Sequence, residues 1–212
     1  IGTSRGLYVS NDNLATWNLK FNGSTTDVAF HPTNDQIIYA FRNSGTDRDL
    51  LKKSTDGGSS FTNAGTFASN SQRQVHLSIC KTAPTHIYAA STSGVYKSTD
   101  EGNTFNYLSN PDESGLAFAV SDIDTNNMVY GYVDLHNSTN NGDTFTKRTA
   151  WSNQNEAYIH ADLRIAACVN GTFYVGTDGY LAKSSDNGVT WTRLNDGTAI
   201  REFYAVGTSQ GN

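Results

Sequence analysis

Short apolar runs alternate with polar turns along the whole chain, and their order repeats. A first strand is predicted at residues 27–30, 75–79, 116–120, 159–167 and 202–206. A polar turn follows, such as His31-Pro32-Thr33-Asn34-Asp35 or residues 121–127. A second strand rich in β-branched and aromatic residues is predicted at 37–41, 87–90, 128–133 and 172–176. A short loop then leads to a third strand at 50–53, 95–97 and 181–183. Each unit closes with a Ser-x-Asp-x-Gly turn and an aromatic residue that opens a fourth strand.

That closing turn, hereafter the box, occurs in clean form at 54–61, 98–105 and 184–191. The copy at 138–145 replaces the Asp by Asn140, and the copy at 10–17 keeps Asp12 but puts Leu14 where the glycine belongs. The closing aromatics Trp17, Phe61, Phe105, Phe145 and Trp191 are spaced by 44, 44, 40 and 46 residues. A period of about 40–45 residues is the size of one four-stranded blade. The repeats therefore run approximately over 1–24, 25–72, 73–114, 115–157 and 158–199, with 200–212 starting a next blade or closing a ring. In each box the carboxylate of Asp12, Asp56, Asp100 or Asp186, or the Asn140 amide, should accept backbone N–H bonds of its own turn. Glycine is expected where the backbone needs positive φ, so Leu14 should be strained or sit in an altered turn. The aromatic ring is expected to pack between neighbouring blades.

Composition fits strands joined by tight turns. Hydrophobic residues make up only 36% of the 212, while glycine reaches 19. A formal charge of −5, without a Lys/Arg stripe, argues against nucleic acid or an anionic membrane surface as partner. No apolar run approaches the roughly 18 residues of a membrane-spanning helix. Ile1 as first residue, with no leader-like segment, reads as a mature or excised piece. Cys80 and Cys168 both sit in apolar runs, and buried free thiols are the preferred reading over a bridge. Sequons at Asn22, Asn137 and Asn170 matter only in a eukaryotic secretory host.

The box resembles the Asp-box, or BNR repeat, and the chain resembles Asp-box β-propellers across nearly all of its length. Sialidases, xyloglucanase-type glycoside hydrolases, sortilin-like receptors and secreted bacterial proteins carry such repeats. Tyr158-Ile159-His160-Ala161-Asp162 is similar to a His-x-Asp inner-strand motif of the bacterial members, although Arg164 stands where they often have a second His. Residues 173–179 (Phe-Tyr-Val-Gly-Thr-Asp-Gly) are similar to their Tyr-x-Gly-x-Asp-Gly-Gly stretch, with Tyr180 in place of the last glycine. The resemblance implies an all-β propeller of four-stranded blades. Five boxes allow a five-bladed ring closed by its termini; the preferred alternative is part of a larger, seven-bladed propeller within a longer polypeptide.

In such a propeller the boxes lie on one edge, and ligands meet the opposite loops. Those loops are residues 42–49, 67–73, 91–94, 109–114, 134–135, 149–158, 178–180 and 196–201. His160, Asp162 and Arg164 should share one side of an inner strand by period-2 alternation, as a sugar contact or as a channel-lining hydrogen-bond ladder. One His and one Asp do not complete a metal set, so neither metal nor cofactor is expected. Glycoside hydrolysis needs two carboxylates flanking the scissile bond. Asp47, Asp49, Asp112, Glu113, Glu156, Asp178, Asp196 and Glu202 fall on the expected face, and nothing in the sequence pairs two of them. The resemblance singles out Asp178, at the position of the xyloglucanase base; a sialidase Arg triad and Tyr/Glu pair are missing. Tyr107, Trp151, Tyr158 and Tyr180 lie in or beside predicted loops and could stack on sugars or anchor a protein.

The expected function is a non-catalytic recognition module, extracellular or at a bacterial cell surface, that binds carbohydrate or protein through the loop face. The alternatives are a glycoside-hydrolase-like domain acting on polysaccharide, with Asp178 as catalytic carboxylate, and a structural spacer in a larger adhesin or secreted protein.

Overall fold

The predicted strand units form throughout residues 1–43, 50–66, 75–111, 117–152 and 159–194, which the computed structural model describes. Among them every regular element is a strand. β1 (Gly6–Val9) and β2 (Asn18–Asn22) make a two-stranded first blade. Four antiparallel four-stranded blades follow, each a simple meander. The second holds β3 (Ser24–Phe30), β4 (Ile38–Asn43), β5 (Leu50–Ser54) and β6 (Thr62–Thr66). The third holds β7 (Val75–Ile79), β8 (Ile87–Ser91), β9 (Gly94–Ser98) and β10 (Asn106–Ser109). β11 (Ala117–Val120), β12 (Met128–Gly131), β13 (Leu135–Ser138) and β14 (Thr146–Lys147) form the fourth. The fifth is β15 (Leu163–Val169), β16 (Thr172–Thr177), β17 (Leu181–Ser184) and β18 (Thr192–Arg193).

The core lies between blades, not within them. Tyr39, Phe41 and Leu51 of the second blade pack on Val75, Leu77, Ile87 and Ala89 of the third. On the other face of the third blade, Tyr88, Ala90 and Val95 meet Phe118, Val120, Met128 and Tyr130. Ala117, Ala119, Val129 and Leu135 then face Leu163, Phe173, Val175 and Ala182 of the fifth. A second strand is thus covered on both sides, which is why β8 and β12 read as continuous apolar runs instead of alternating. Fully burying one ring such as Phe173 contributes about 1.5–3 kcal/mol. The closing aromatics Phe105, Phe145 and Trp191 sit at the margins of these three clusters, as expected.

The box behaves as its residue types require. Ser98 Oγ accepts the Gly102 N–H at 2.8 Å and donates to Asp100 Oδ1 at 2.7 Å. Asp100 Oδ1 also accepts the Thr104 N–H at 2.9 Å, and Oδ2 accepts the Thr104 hydroxyl at 2.7 Å. The boxes of Asp56 and Asp186 repeat this network. These bonds, the Thr or Ser hydroxyl first, hold the carboxyls of Asp12, Asp56 and Asp100 down at about 2. At Asn140 the same bonds form with one reversal, the amide nitrogen donating to Thr144 Oγ1 at 2.9 Å. Leu14 keeps its N–H bond to Ser10 Oγ but adopts φ 71° and is 68% exposed. That left-handed conformation costs a non-glycine residue about 1–2 kcal/mol.

First strands and their turns are tied sideways as well. Asp27 Oδ2 accepts the Leu77 N–H at 2.6 Å, and Ser78 Oγ accepts the Val120 N–H at 2.9 Å. Asp122 accepts both Asn170 and Gly171 N–H groups, at 2.7 and 2.9 Å.

Three expectations need correction. The first strand of the fifth blade begins at Leu163 and not at 159, because Asp162 takes φ 61° and breaks the extended chain. Residues 134–135, expected as exposed loop, lead directly into β13, where Leu135 is fully buried. The two thiols are free, but Cys168 is only half-buried, its Sγ 3.4 Å from Asp122 Oδ1.

Candidate ligand-binding site

Polar and aromatic groups converge where the chain enters the fifth blade. Ile159 is buried in the core between the fourth and fifth blades and fixes the entry. The next residue, His160, donates its backbone N–H to Tyr180 Oη at 2.8 Å. Its ring stands edge-on to the Tyr180 ring, with centroids 6.3 Å apart. Gly179 makes this fit: a Cβ there would lie 2.7 Å from His160 Cδ2. His160 Nδ1 lies 2.9 Å from the Ala161 carbonyl, so the imidazole is held on both sides.

Asp162, turned by its left-handed backbone, accepts the phenol of Tyr132 from the turn after β12. That bond pushes the Tyr132 phenol up. The Tyr132 carbonyl in turn accepts the Leu163 N–H at 2.8 Å, locking the two blades together at this point. Arg164 lies over the Tyr132 ring, Cζ 6.0 Å from its centroid. It binds Asp178 at the end of β16 through two parallel bonds, Nε to Oδ1 at 2.8 Å and Nη2 to Oδ2 at 2.9 Å. The Arg164 bonds hold the Asp178 carboxyl below the usual carboxylate range, and Asp178 raises Arg164 in return. The result is a polar patch in which a half-exposed guanidinium forms a bidentate ion pair with Asp178 and stacks on Tyr132.

Trp151 lies on an adjoining turn. Its backbone N–H donates to Asp134 Oδ1 at 2.8 Å, and Asp134 also pairs with Lys147. Asp134 is buried, two residues beyond Tyr132, while the Trp151 side chain remains 52% exposed. Thr149 Oγ1 accepts the Leu135 N–H at 2.8 Å and fixes the same turn. An exposed indole is therefore mounted on a rigid base.

Of the expected site residues, the structure joins Asp162, Arg164 and Asp178 through Tyr132. His160 packs against Tyr180 and Gly179, the residue after Asp178, and Trp151 is tied to Asp134, two residues beyond Tyr132. The shared strand face expected for His160, Asp162 and Arg164 is absent, since only Arg164 belongs to β15. Tyr180 is 7% exposed and serves the core, with the Arg193 guanidinium over its ring, so it is no ligand platform. Tyr107 is 55% exposed, but it lies on the outer strand β10, edge-on to Tyr96. Tyr158, Asp47, Asp49, Asp112, Glu113, Glu156, Asp196 and Glu202 lie outside the described residues. Among the described residues no three His, Cys, Asp or Glu side chains form a metal-binding group. Tyr132 carries no separate signal in the sequence, where it falls within the second strand expected at 128–133.

No protein-family model matches the chain, and no curated protein sequence matches it. Among solved structures it is similar to two GH74 enzymes. One is an ancestral GH74 enzyme, at 17% identity and TM-score 0.61, covering 81% of this chain and 24% of that one. The other is the Niastella koreensis GH74 enzyme, at 19% identity and TM-score 0.65, covering 92% and 28%. It is also similar to YCF48 bound to D1 peptide, at 10% identity and TM-score 0.56, covering 84% and 55%. The fold is that of β-propeller blades. This chain spans about a quarter of the GH74 chains and just over half of YCF48.

Proposed function

We propose that the chain is a non-catalytic recognition module that binds carbohydrate through the Tyr132–Arg164–Asp178 patch and the Trp151 indole. The observation that carries this reading is the state of Asp178. A glycosidase base must offer a free, basic carboxylate oxygen to the attacking water. Asp178 instead gives both oxygens to Arg164, whose guanidinium lowers the carboxyl and with it the basicity such a role needs. The neighbouring Asp162 already accepts the Tyr132 phenol. Both carboxylates are fixed as acceptors, which suits hydroxyl-rich ligands, and the indole supplies a stacking face. One neighbour of this fold, YCF48, is bound to D1 peptide, so ligand binding by such blades has a precedent. A place outside the cell, at a bacterial surface or secreted, belongs to the same reading and is checked by fractionation of the native host.

The test pairs binding with turnover. Soluble plant and microbial polysaccharides, xyloglucan among them, and a peptide panel are titrated calorimetrically, while reducing ends are assayed after prolonged incubation. Saturable polysaccharide binding that Arg164→Ala weakens, without new reducing ends, supports the proposal. Release of reducing ends that Asp178→Asn abolishes would establish the hydrolase reading. Binding confined to peptides would move the ligand class to protein.

A further inference from the structure

Each blade receives the box of the blade that follows it, and the same positions do so every time. The residue before the box Ser faces the next box. Lys53, paired across strands with Tyr39 and lying 5.6 Å over its ring centroid, bonds Glu101 at 2.6 Å. Lys97, paired with Tyr88, bonds Asn141 Oδ1 at 3.2 Å, and the Tyr88 hydroxyl bonds the same atom at 2.7 Å. Asn137 donates to the Asn187 carbonyl at 2.9 Å. In these three contacts the acceptor is the residue after the box Asp, held left-handed at φ 58°, 62° and 63° in Glu101, Asn141 and Asn187.

The box glycine then fits flush against the preceding blade. A Cβ would lie 2.6 Å from Leu51 at Gly102, 2.9 Å from Leu108 at Gly142 and 2.7 Å from Val129 at Gly188. At Gly58 it would lie 3.6 Å from Val9 of the first blade.

The fifth blade carries the same socket. Strand register puts Ile165, Ala167, Val169, Tyr174, Leu181 and Lys183 on one face, opposite the face packed on the fourth blade. Tyr174 and Lys183 are a cross-strand pair like Tyr39–Lys53 and Tyr88–Lys97. Tyr39 and Tyr88 are fully buried, whereas Tyr174 is half-exposed, and Ile165 and Val169 are 63% and 55% exposed. Lys183 has no acceptor among the described residues.

We propose that this face docks one further β-blade whose box carries an acceptor after its Asp and a glycine next, and that Leu14 excludes the chain's own first blade from that role. Charge complementarity and continuity with three existing interfaces define the partner. The first blade presents the right acceptor, Asn13, at φ 53°. Its next residue is Leu14, whereas at Gly102, Gly142 and Gly188 even a Cβ would force a shift against the preceding blade.

Leu14→Gly tests both halves in the full chain, because it turns the first blade's box into a matching partner. Lysine acetylation rates are followed by mass spectrometry, with the rim residue Lys147 as reference and far-UV circular dichroism as the folding check. In the wild type, Lys183 should react freely while Lys53, with 16% of its side chain exposed, is protected. In Leu14→Gly, Lys183 should slow to the Lys53 rate, either within one chain or with a larger sedimenting species, and Leu14→Asn, which relieves the backbone but keeps a side chain, should leave it reactive. Lys183 equally reactive in all three, or protected already in the wild type, would overturn the proposal.

Discussion

Arg164 covers both oxygens of Asp178, and the two residues come from one blade, Arg164 from β15 and Asp178 from the turn directly after β16. The pair is therefore set before any ligand arrives. Because the Asp178 carboxyl lies below the ordinary range, it stays ionised through neutral and mildly acidic pH. Calorimetric affinity is expected to be flat between about pH 5 and 8 and to fall only below about pH 4. A pronounced optimum near pH 5–6 would instead indicate a raised carboxyl in the site.

Trp151 should separate binding from folding. Its indole is half-exposed and its backbone, not its ring, is anchored by Asp134. Trp151→Ala is expected to weaken polysaccharide binding by about tenfold, while stability changes by no more than about 0.5 kcal/mol. Titration calorimetry and thermal melts on the same preparation measure both.

The boxes set the acid limit of the fold. Asp12, Asp56 and Asp100 have folded values of about 2, below the unfolded carboxylate, so their contribution is complete above about pH 4. It is lost as pH falls from about 4 towards 2. Melting temperature should drop across that window, and Asp100→Asn should make the drop shallower. Asp186 works in the same direction: burial would raise it, but bonds led by the Thr190 hydroxyl and N–H lower it. Asp186→Ala is expected to destabilise by about 1 kcal/mol, the exposed carboxylate keeping the loss low in the usual range.

Asn140→Asp gives the opposite experiment. It restores a charged acceptor to Ser138, Thr144 N–H and Thr144 hydroxyl, which Asn140 already engages in neutral form. Melting temperature should rise at pH 7 and return to the wild-type value near pH 2, since the gain exists only for the carboxylate.

Asp27 reports on the inner edge of the blades. It accepts the Leu77 N–H from the next blade and the Val28 N–H from its own strand. Burial pushes its carboxyl up, although these bonds and His76 pull it down. Asp27→Ala strands the Leu77 donor and should cost about 1–3 kcal/mol. Asp27→Asn keeps an acceptor and should cost less; equal losses in denaturant titrations would show that the bond to Leu77 is not what Asp27 supplies.

Sequence patterning located what repeats and failed at what does not. The first strand of the third blade falls on Val75–Ile79 as expected, because its turn signals bracket a clean apolar run. The box geometry followed from residue chemistry alone. β13 was missed since Leu-His-Asn-Ser has no apolar run, its burial coming from the neighbouring blade. The entry to β15 was misplaced because Ile159 is apolar for core packing before the strand begins, and only the Asp162 turn separates the two. Arg164 of β15 pairs with Asp178 in the turn after β16, and Tyr132 reaches Asp162 from another blade. Such distant contacts leave no local periodicity to read.

The docking of each box on the blade before it also bears on how such a chain could have grown. A blade carries its plug, the acceptor and glycine, about 40–45 residues apart from the next and inherits its socket, the residue before the Ser, in the same unit. Duplicating one unit in frame copies both halves together, so an inserted blade would arrive already matched to its neighbours. Leu14 is the one plug that such copying has not kept.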